Sequence, residues 1–352
     1  MRYSRAMGII GLIGQGVLPG LSCGAAAAAP PAQDLAVLQH WQLAGAGSWD
    51  YLTLDTAGQR LFISRADHVE VVNTESGKVI GTVPNTEGVH GIALAEESNR
   101  GYTSNGRADS VTMFDLASLK VVKEAPISGH NPDAILYEPS GKHVFTFNGR
   151  SKDVTVLDAT SLAVVATLPV PGKPEFAVDD GAGHIFVNIE NEPGQMAVID
   201  THRLTVTATW TLPGCASPTG LALDKRHRRL FSVCDDKVMA VTDADTGKQV
   251  AKVKIGDGPD AAAFDATRGL VFSSNGEGTL SVVRQDSPDR YTVVNSVTTK
   301  RGARTMAMDS ARGKIYLVSA DFGPPPAATP EHPHPRPAPL PDTVTVLVVS
   351  KR

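Results

Sequence analysis

An all-β chain is expected from this sequence: a seven-bladed β-propeller of four-stranded antiparallel blades, its ring closed by the N-terminal strand in the last blade. Three observations carry that expectation. A strand led by an aromatic recurs seven times, at Phe62, Tyr102, Phe145, Phe186, Phe231, Phe272 and Tyr316, with spacings of 40 to 45 residues. Val and Thr crowd the apolar runs, and these β-branched residues favour strands, while nothing past residue 30 reads as a convincing amphipathic helix. Gly and Pro number 33 and 24, as many turns require.

The first segment is an exception to the β pattern. "MRYSRAM" carries two Arg and no acid, an apolar stretch rich in small residues follows, and "PPAQD" turns polar. That order is the pattern of a secretory signal, so residues 1–29 are expected to be a leader cleaved within residues 25–29. Gly and Pro interrupt its apolar run too often for a good transmembrane span, and no membrane span is expected after cleavage. Lipid attachment through Cys23 is a minor alternative, because Gly20 stands where lipoprotein signals usually carry Leu. The expected location is the periplasm or the exterior.

Residues 35–352 are expected to be one propeller domain. Each copy opens with an apolar strand that often ends in Asp, as in "YLTLD", "GLALD" and "AAAFD". A polar turn such as "PSGKH" leads to the aromatic strand. A short loop precedes a third strand ending near Asp ("VTMFD", "VTVLD"), and "TESGK" or "ADTGK" turns into a fourth strand. Four short strands at this period are the signature of a propeller blade. One blade cannot bury both its faces, so blades stack around a channel. The seventh copy stops at its third strand, "TVTVLVVS", while "LAVLQHWQL" at residues 35–43 is a spare strand. It is expected to complete the seventh blade and remove an exposed edge.

Several motifs carry a resemblance: "VHGIAL", "SNGR", "GHNPDAI", "FNGRSKDVTVLD", "GKPEFAV", "PTGLALD" and "GDGPDAAAFD". Through them, residues 35–352 resemble the YncE-like family of exported bacterial proteins built of YVTN-type repeats. The resemblance implies the fold and export, and little about activity.

In a propeller, the loop entering each first strand and the loop joining the second and third strands share one face. Two aligned positions therefore form two rings at one channel mouth. The first reads Asp50, His90, Asp133, Glu175, Thr219, Asp260 and Thr305. Pro precedes four of them and aims the chain into the strand. The carboxylates have no such structural reason beyond capping a turn, and clustered carboxylates need protons, cations or basic neighbours. The second position reads Asn105, Asn148 and Asn275 in three blades, with Arg107 and Arg150 two residues on. Asn-Gly is a strong hairpin signal because both residues tolerate positive φ. The Arg is not required by a turn. With Arg304, Arg107 and Arg150 would either hold an anionic ligand or neutralise Asp133 and Glu175.

Asp50, His90, Asn105, Arg107, Asp133, Asn148, Arg150, Glu175, Asp260, Asn275 and Arg304 are thus the candidate ligand-binding residues. No cofactor is required, but a divalent metal is possible, with His90, Asp133, Glu175 and Asp260 as candidate ligands. Cys215 and Cys234 fall on the same face of the fifth copy and are expected to form a disulfide. The last copy carries a Pro-rich insertion at 320–343, a candidate lid over the mouth. Its His332 and His334 are weak metal candidates.

No catalytic signature stands in the chain: no G-x-S-x-G, HExxH, CxxC or Gly-rich phosphate loop. Loss of the leader moves the formal net charge from −4 to −6, which disfavours broad phosphate attraction and nucleic acid. The expectation is an exported binding or scaffold protein, a monomer, for a small polar molecule, a peptide or a protein. The alternative is a metal-assisted hydrolase or lyase similar to propeller lactonases.

Overall fold

A computed structural model describes residues 34–45, 47–327 and 337–352; the leader, Cys23, His332 and His334 lie outside them. The chain forms seven separate four-stranded antiparallel sheets. Blade one, for example, runs outward from the channel through Leu52–Asp55, Arg60–Arg65, His68–Asn73 and Val79–Val83. The inner strands of blades two to seven are Val89–Ala95, Pro132–Glu138, Pro174–Asp179, Pro218–Asp224, Pro259–Asp265 and Met306–Asp309. Each inner strand packs on those of both neighbours, and blade seven packs on blade one, so the ring is closed.

The outermost strand of blade seven is Leu35–Gln42, paired antiparallel with Thr345–Lys351. This is the closure expected from the spare N-terminal strand. Trp41 locks it, its ring 5.6 Å from that of Tyr316 in the same blade.

Second and third strands are buried on both faces because each is sandwiched between two blades, whereas outer strands are half exposed. The seven anchor aromatics, Phe62 to Tyr316, are each at most 3% exposed. They fill the spaces between neighbouring blades, where truncating one to Ala costs about 3–5 kcal/mol. The Asp that ends an inner strand is a turn device. Asp55, Asp224, Asp265 and Asp309 each accept a backbone N–H from three residues on. Asp115, Asp158 and Asp243 do the same at the ends of third strands.

The Asn-Gly pairs differ from the hairpin turn expected of them. Neither Asn105, Asn148 and Asn275 nor the Gly after each has positive φ; that conformation falls later in the loop, at Asp109, Lys152 and Gly278. The three Asn side chains are instead wholly buried clips between the second and third strands. Asn148 Nδ2 donates to Asp153 Oδ1 and Thr155 Oγ1, and its Oδ1 accepts from Thr146 Oγ1. Asn105 and Asn275 repeat the arrangement with Ser110 and Thr112, and with Thr279 and Ser281. Such a carboxamide satisfies three buried polar partners at once.

The clip separates two readings of the motif. Asn148→Gly leaves buried polar groups unpaired and should cost about 2 kcal/mol or more in urea unfolding. A turn requirement would leave stability unchanged or improved.

Candidate functional site

The first-ring residues stand where the inner strand begins. In blades two to six this start is irregular: the register slips between Val89 and Ile92, Pro132 and Ile135, Pro174 and Ala177, Pro218 and Leu221, and Pro259 and Ala261. A bulge re-aims a side chain, here toward the mouth. Second-strand serines hold the strand entries. Ser64 Oγ accepts from Asp50 N, and Ser104 Oγ accepts from Gly91 N while donating to the Asp133 carbonyl.

Asp50, Asp133, Glu175 and Asp260 line one cavity of about 300 Å³, together with Lys173, Glu190, Asp235 and Arg304. His90 Nδ1 lies 2.6 Å from Asp50 Oδ2 and 3.8 Å from Asp133 Oδ1. Lys173 Nζ is 2.5 Å from Glu190, 2.9 Å from Glu175 and 4.0 Å from Asp133. Arg304 Nε reaches Asp260 at 3.2 Å. Tyr51 joins the acids from blade one. Its hydroxyl donates to Glu175 Oε1 and its ring lies 5.5 Å from Phe176. Those partners belong to blade four, so the Tyr51 side chain spans the channel.

Electrostatics follow from this crowding. Burial, then the charges of Glu175 and Asp50, push the Asp133 carboxyl well above the usual range, against the pull of His90 and Lys173. Glu175 is raised by burial and by Glu190, with Lys173 opposing. Burial alone would lower His90, but the Asp50 hydrogen bond and the charges of Asp133, Asp50 and Glu175 outweigh it and raise its pKa. Burial and the surrounding carboxylates likewise raise Tyr51. Arg304 is raised chiefly by Asp260.

Of the residues expected at the mouth, Asp50, His90, Asp133, Glu175, Asp260 and Arg304 are brought together. Asn105, Asn148 and Asn275 are wholly buried clips and do not face the cavity. Arg107 and Arg150 line an adjoining cavity of about 340 Å³ with Asp50 and His90. Arg107 pairs with Glu87 at 2.6 Å, which corrects the expectation that it neutralises Asp133 and Glu175. Lys173 does that instead. Sequence reasoning missed Lys173, Glu190, Asp235 and Tyr51. A signal existed for two of them: Glu190 and Asp235 occupy, in blades four and five, the position held by Gly106, Gly149 and Gly276 elsewhere.

The 320–343 insertion leaves and returns through a bridge between Phe322 and Pro339. Phe322 packs on Trp49 with ring centroids 6.1 Å apart, and both line a third cavity of about 440 Å³ that shares Arg304 with the acid cavity. The stems of the insertion thus stand at the mouth. Cys215 and Cys234 form the expected disulfide, with Cα atoms 5.3 Å apart. Such a bond fits an oxidising, exported compartment. Among the described residues no helix is long and apolar enough to cross a membrane.

No family model and no curated protein sequence matches the chain. Solved structures do. It is similar to a structure of Kuenenia stuttgartiensis hydrazine synthase, with a TM-score of 0.69 and 16% identity over 77% of this chain and 92% of that one. It is also similar to the structure of U3-55K, with a TM-score of 0.71 and 12% identity over 91% of this chain and 99% of that one. At these identities the likeness establishes the propeller fold alone.

The raised groups predict the pH dependence of stability. A carboxyl with a raised folded pKa contributes less as pH rises from the ordinary carboxylate range through its folded value. A raised His loses its contribution as pH climbs through a folded value above 6.5. Both effects lower stability as pH rises. The melting temperature should therefore fall from pH 5 to pH 8, and Asp133→Asn should flatten that fall and melt higher at pH 8. About 2 °C is expected for each kcal/mol relieved. An Asn variant that melts lower at every pH would contradict the charge argument.

Proposed function

We propose that this chain is an exported binding protein of the YncE-like kind, whose channel mouth takes a small, positively charged ligand. The observation that carries the reading is the imbalance around one cavity. Six acids, Asp50, Asp133, Glu175, Glu190, Asp235 and Asp260, line it against two permanent cations, Lys173 and Arg304. Two of those acids, Asp133 and Glu175, are only 8% exposed. Their ionised forms are unfavourable until positive charge arrives. A cation entering the cavity adds to the single Lys173 charge that Asp133, Glu175 and Glu190 share. The Trp49–Phe322 pair beside it offers a face to an apolar or aromatic portion of the same ligand.

Export rests on the basic–apolar–small order of the leader, supported by the disulfide. The family resemblance rests on the repeat motifs, above all "FNGRSKDVTVLD" and "GDGPDAAAFD".

Calorimetric titration of the mature protein with divalent cations and with putrescine tests the reading. Glu175→Gln combined with Asp260→Asn should weaken cation binding at least tenfold. Lys173→Gln should strengthen it severalfold while lowering stability, because it removes a competing charge. Binding of citrate or phosphate that is weakened by Lys173→Gln would instead mark the mouth as an anion site and end this proposal.

A further inference from the structure

We infer that Asp50, His90 and Asp133 form a site for one divalent transition-metal ion, held by His90 Nδ1 and one carboxylate oxygen from each Asp. The inference rests on the reading that the mouth takes positive charge, and goes beyond it by naming the ion class and the atoms.

Geometry comes first. One donor atom from each of the three residues lies within 4.8 Å of the other two. His90 Nδ1 is 2.6 Å from Asp50 Oδ2 and 3.8 Å from Asp133 Oδ1. An ion bound tetrahedrally at about 2.1 Å spaces its ligands about 3.4 Å apart. The observed distances straddle that value, so small side-chain rotations bring three donors onto one ion.

Asp133 supplies an independent observation. It is 8% exposed and lines the cavity. Among the described residues its carboxylate accepts no hydrogen bond; its nearest charged partners are His90 at 3.8 Å and Lys173 at 4.0 Å. A buried carboxylate with no donor at hydrogen-bond distance is costly. The two contacts also divide its oxygens, with Oδ1 toward His90 and Oδ2 toward Lys173. One oxygen is thus left for an ion while the other faces an orienting ammonium.

The imidazole is held for this role. A Cβ on Gly106 would lie 2.6 Å from His90 Cδ2 and 2.7 Å from Nε2, so that edge of the ring packs on the Gly106 backbone. The Nδ1 edge is left facing the two carboxylates. The three ligands come from blades one, two and three, each at the entry to an inner strand, so their separation is set by the rigid ring. One imidazole with two carboxylates suits Zn²⁺ and its first-row neighbours, while Ca²⁺ requires six to eight oxygens.

The test uses the mature protein, stripped of metal and dialysed against Zn²⁺, Co²⁺ or Ca²⁺. One Zn²⁺ per chain is expected, with a visible Co²⁺ absorption from a low-coordinate site. His90→Gln and Asp133→Asn should each weaken Zn²⁺ binding at least tenfold. Glu75→Gln, in an exposed turn between the third and fourth strands of blade one and away from the mouth, should change it less than about threefold. Because a variant can fail to fold, Zn²⁺ protection of His90 against diethylpyrocarbonate, mapped by mass spectrometry, is measured on the unaltered chain. No stoichiometric Zn²⁺ binding, Zn²⁺ binding indifferent to His90→Gln, Ca²⁺ bound as tightly as Zn²⁺, or His90 unprotected would each overturn the inference. Putrescine binding without metal binding would overturn the metal site alone; loss of both would overturn the cationic-ligand reading as well.

Discussion

A propeller blade depends on being covered from both sides. The middle strands of every blade here carry apolar side chains on both faces, and no single sheet can hide two faces from water. Neighbouring blades must therefore stack on each, and the stacking ends only when the last blade meets the first. The N-terminal strand Leu35–Gln42 makes that meeting covalent, because blade seven contains both ends of the domain. Breaking this contact opens one blade interface directly and removes the restraint on the other six.

Closure also creates the site. Seven equivalent strand entries are forced to face one another across a channel, and any charge placed there meets the charges of the other blades. Asp133 and Glu175 are consequently buried among like charges, with pKa values displaced upward. That arrangement is unfavourable for folding at neutral pH. A protein keeps such groups where function uses them and stability elsewhere offsets the cost. The Tyr51 side chain shows the same economy of placement. It reaches across the ring from blade one to hydrogen-bond one of the acids in blade four.

How much was legible in the chain follows from what is local. The aromatic period and the terminal Asp turns are local, and they yielded the number of blades, the closure and the ring of first-strand residues. The Asn-Gly pairs misled because one dipeptide serves two physical ends. Its positive-φ tolerance suggests a turn, yet here the Asn side chain is a buried clip and the loop turns later. Lys173 went unread because it sits one residue before the Pro that marks a strand entry, outside the two aligned positions. Arg107 found Glu87 nearby, a partner no alignment of repeats singles out. Tyr51 reaching blade four depends on channel width, which no local pattern encodes.

The repeat itself separates what the fold needs from what it does not. At the clip position, blade one substitutes Arg65 paired with Glu70, blade five uses the Cys234 disulfide, and blade seven uses Ser319 donating to the Arg301 carbonyl. These three replacements still tie the second strand to what lies beside it, and blade four fills the position with the wholly buried Ile189, so that column is structural. The strand-entry column behaves otherwise. Thr219 in blade five donates from Oγ1 to the Pro259 carbonyl, linking its blade to the next. Thr305 in blade seven is 1% exposed. A neutral Thr is therefore compatible with strand entry in two of seven blades. Four carboxylates and a His at the same column go beyond what the fold asks of it. Their convergence is the part of the mouth that the architecture leaves unexplained and that the proposed cationic ligand would account for.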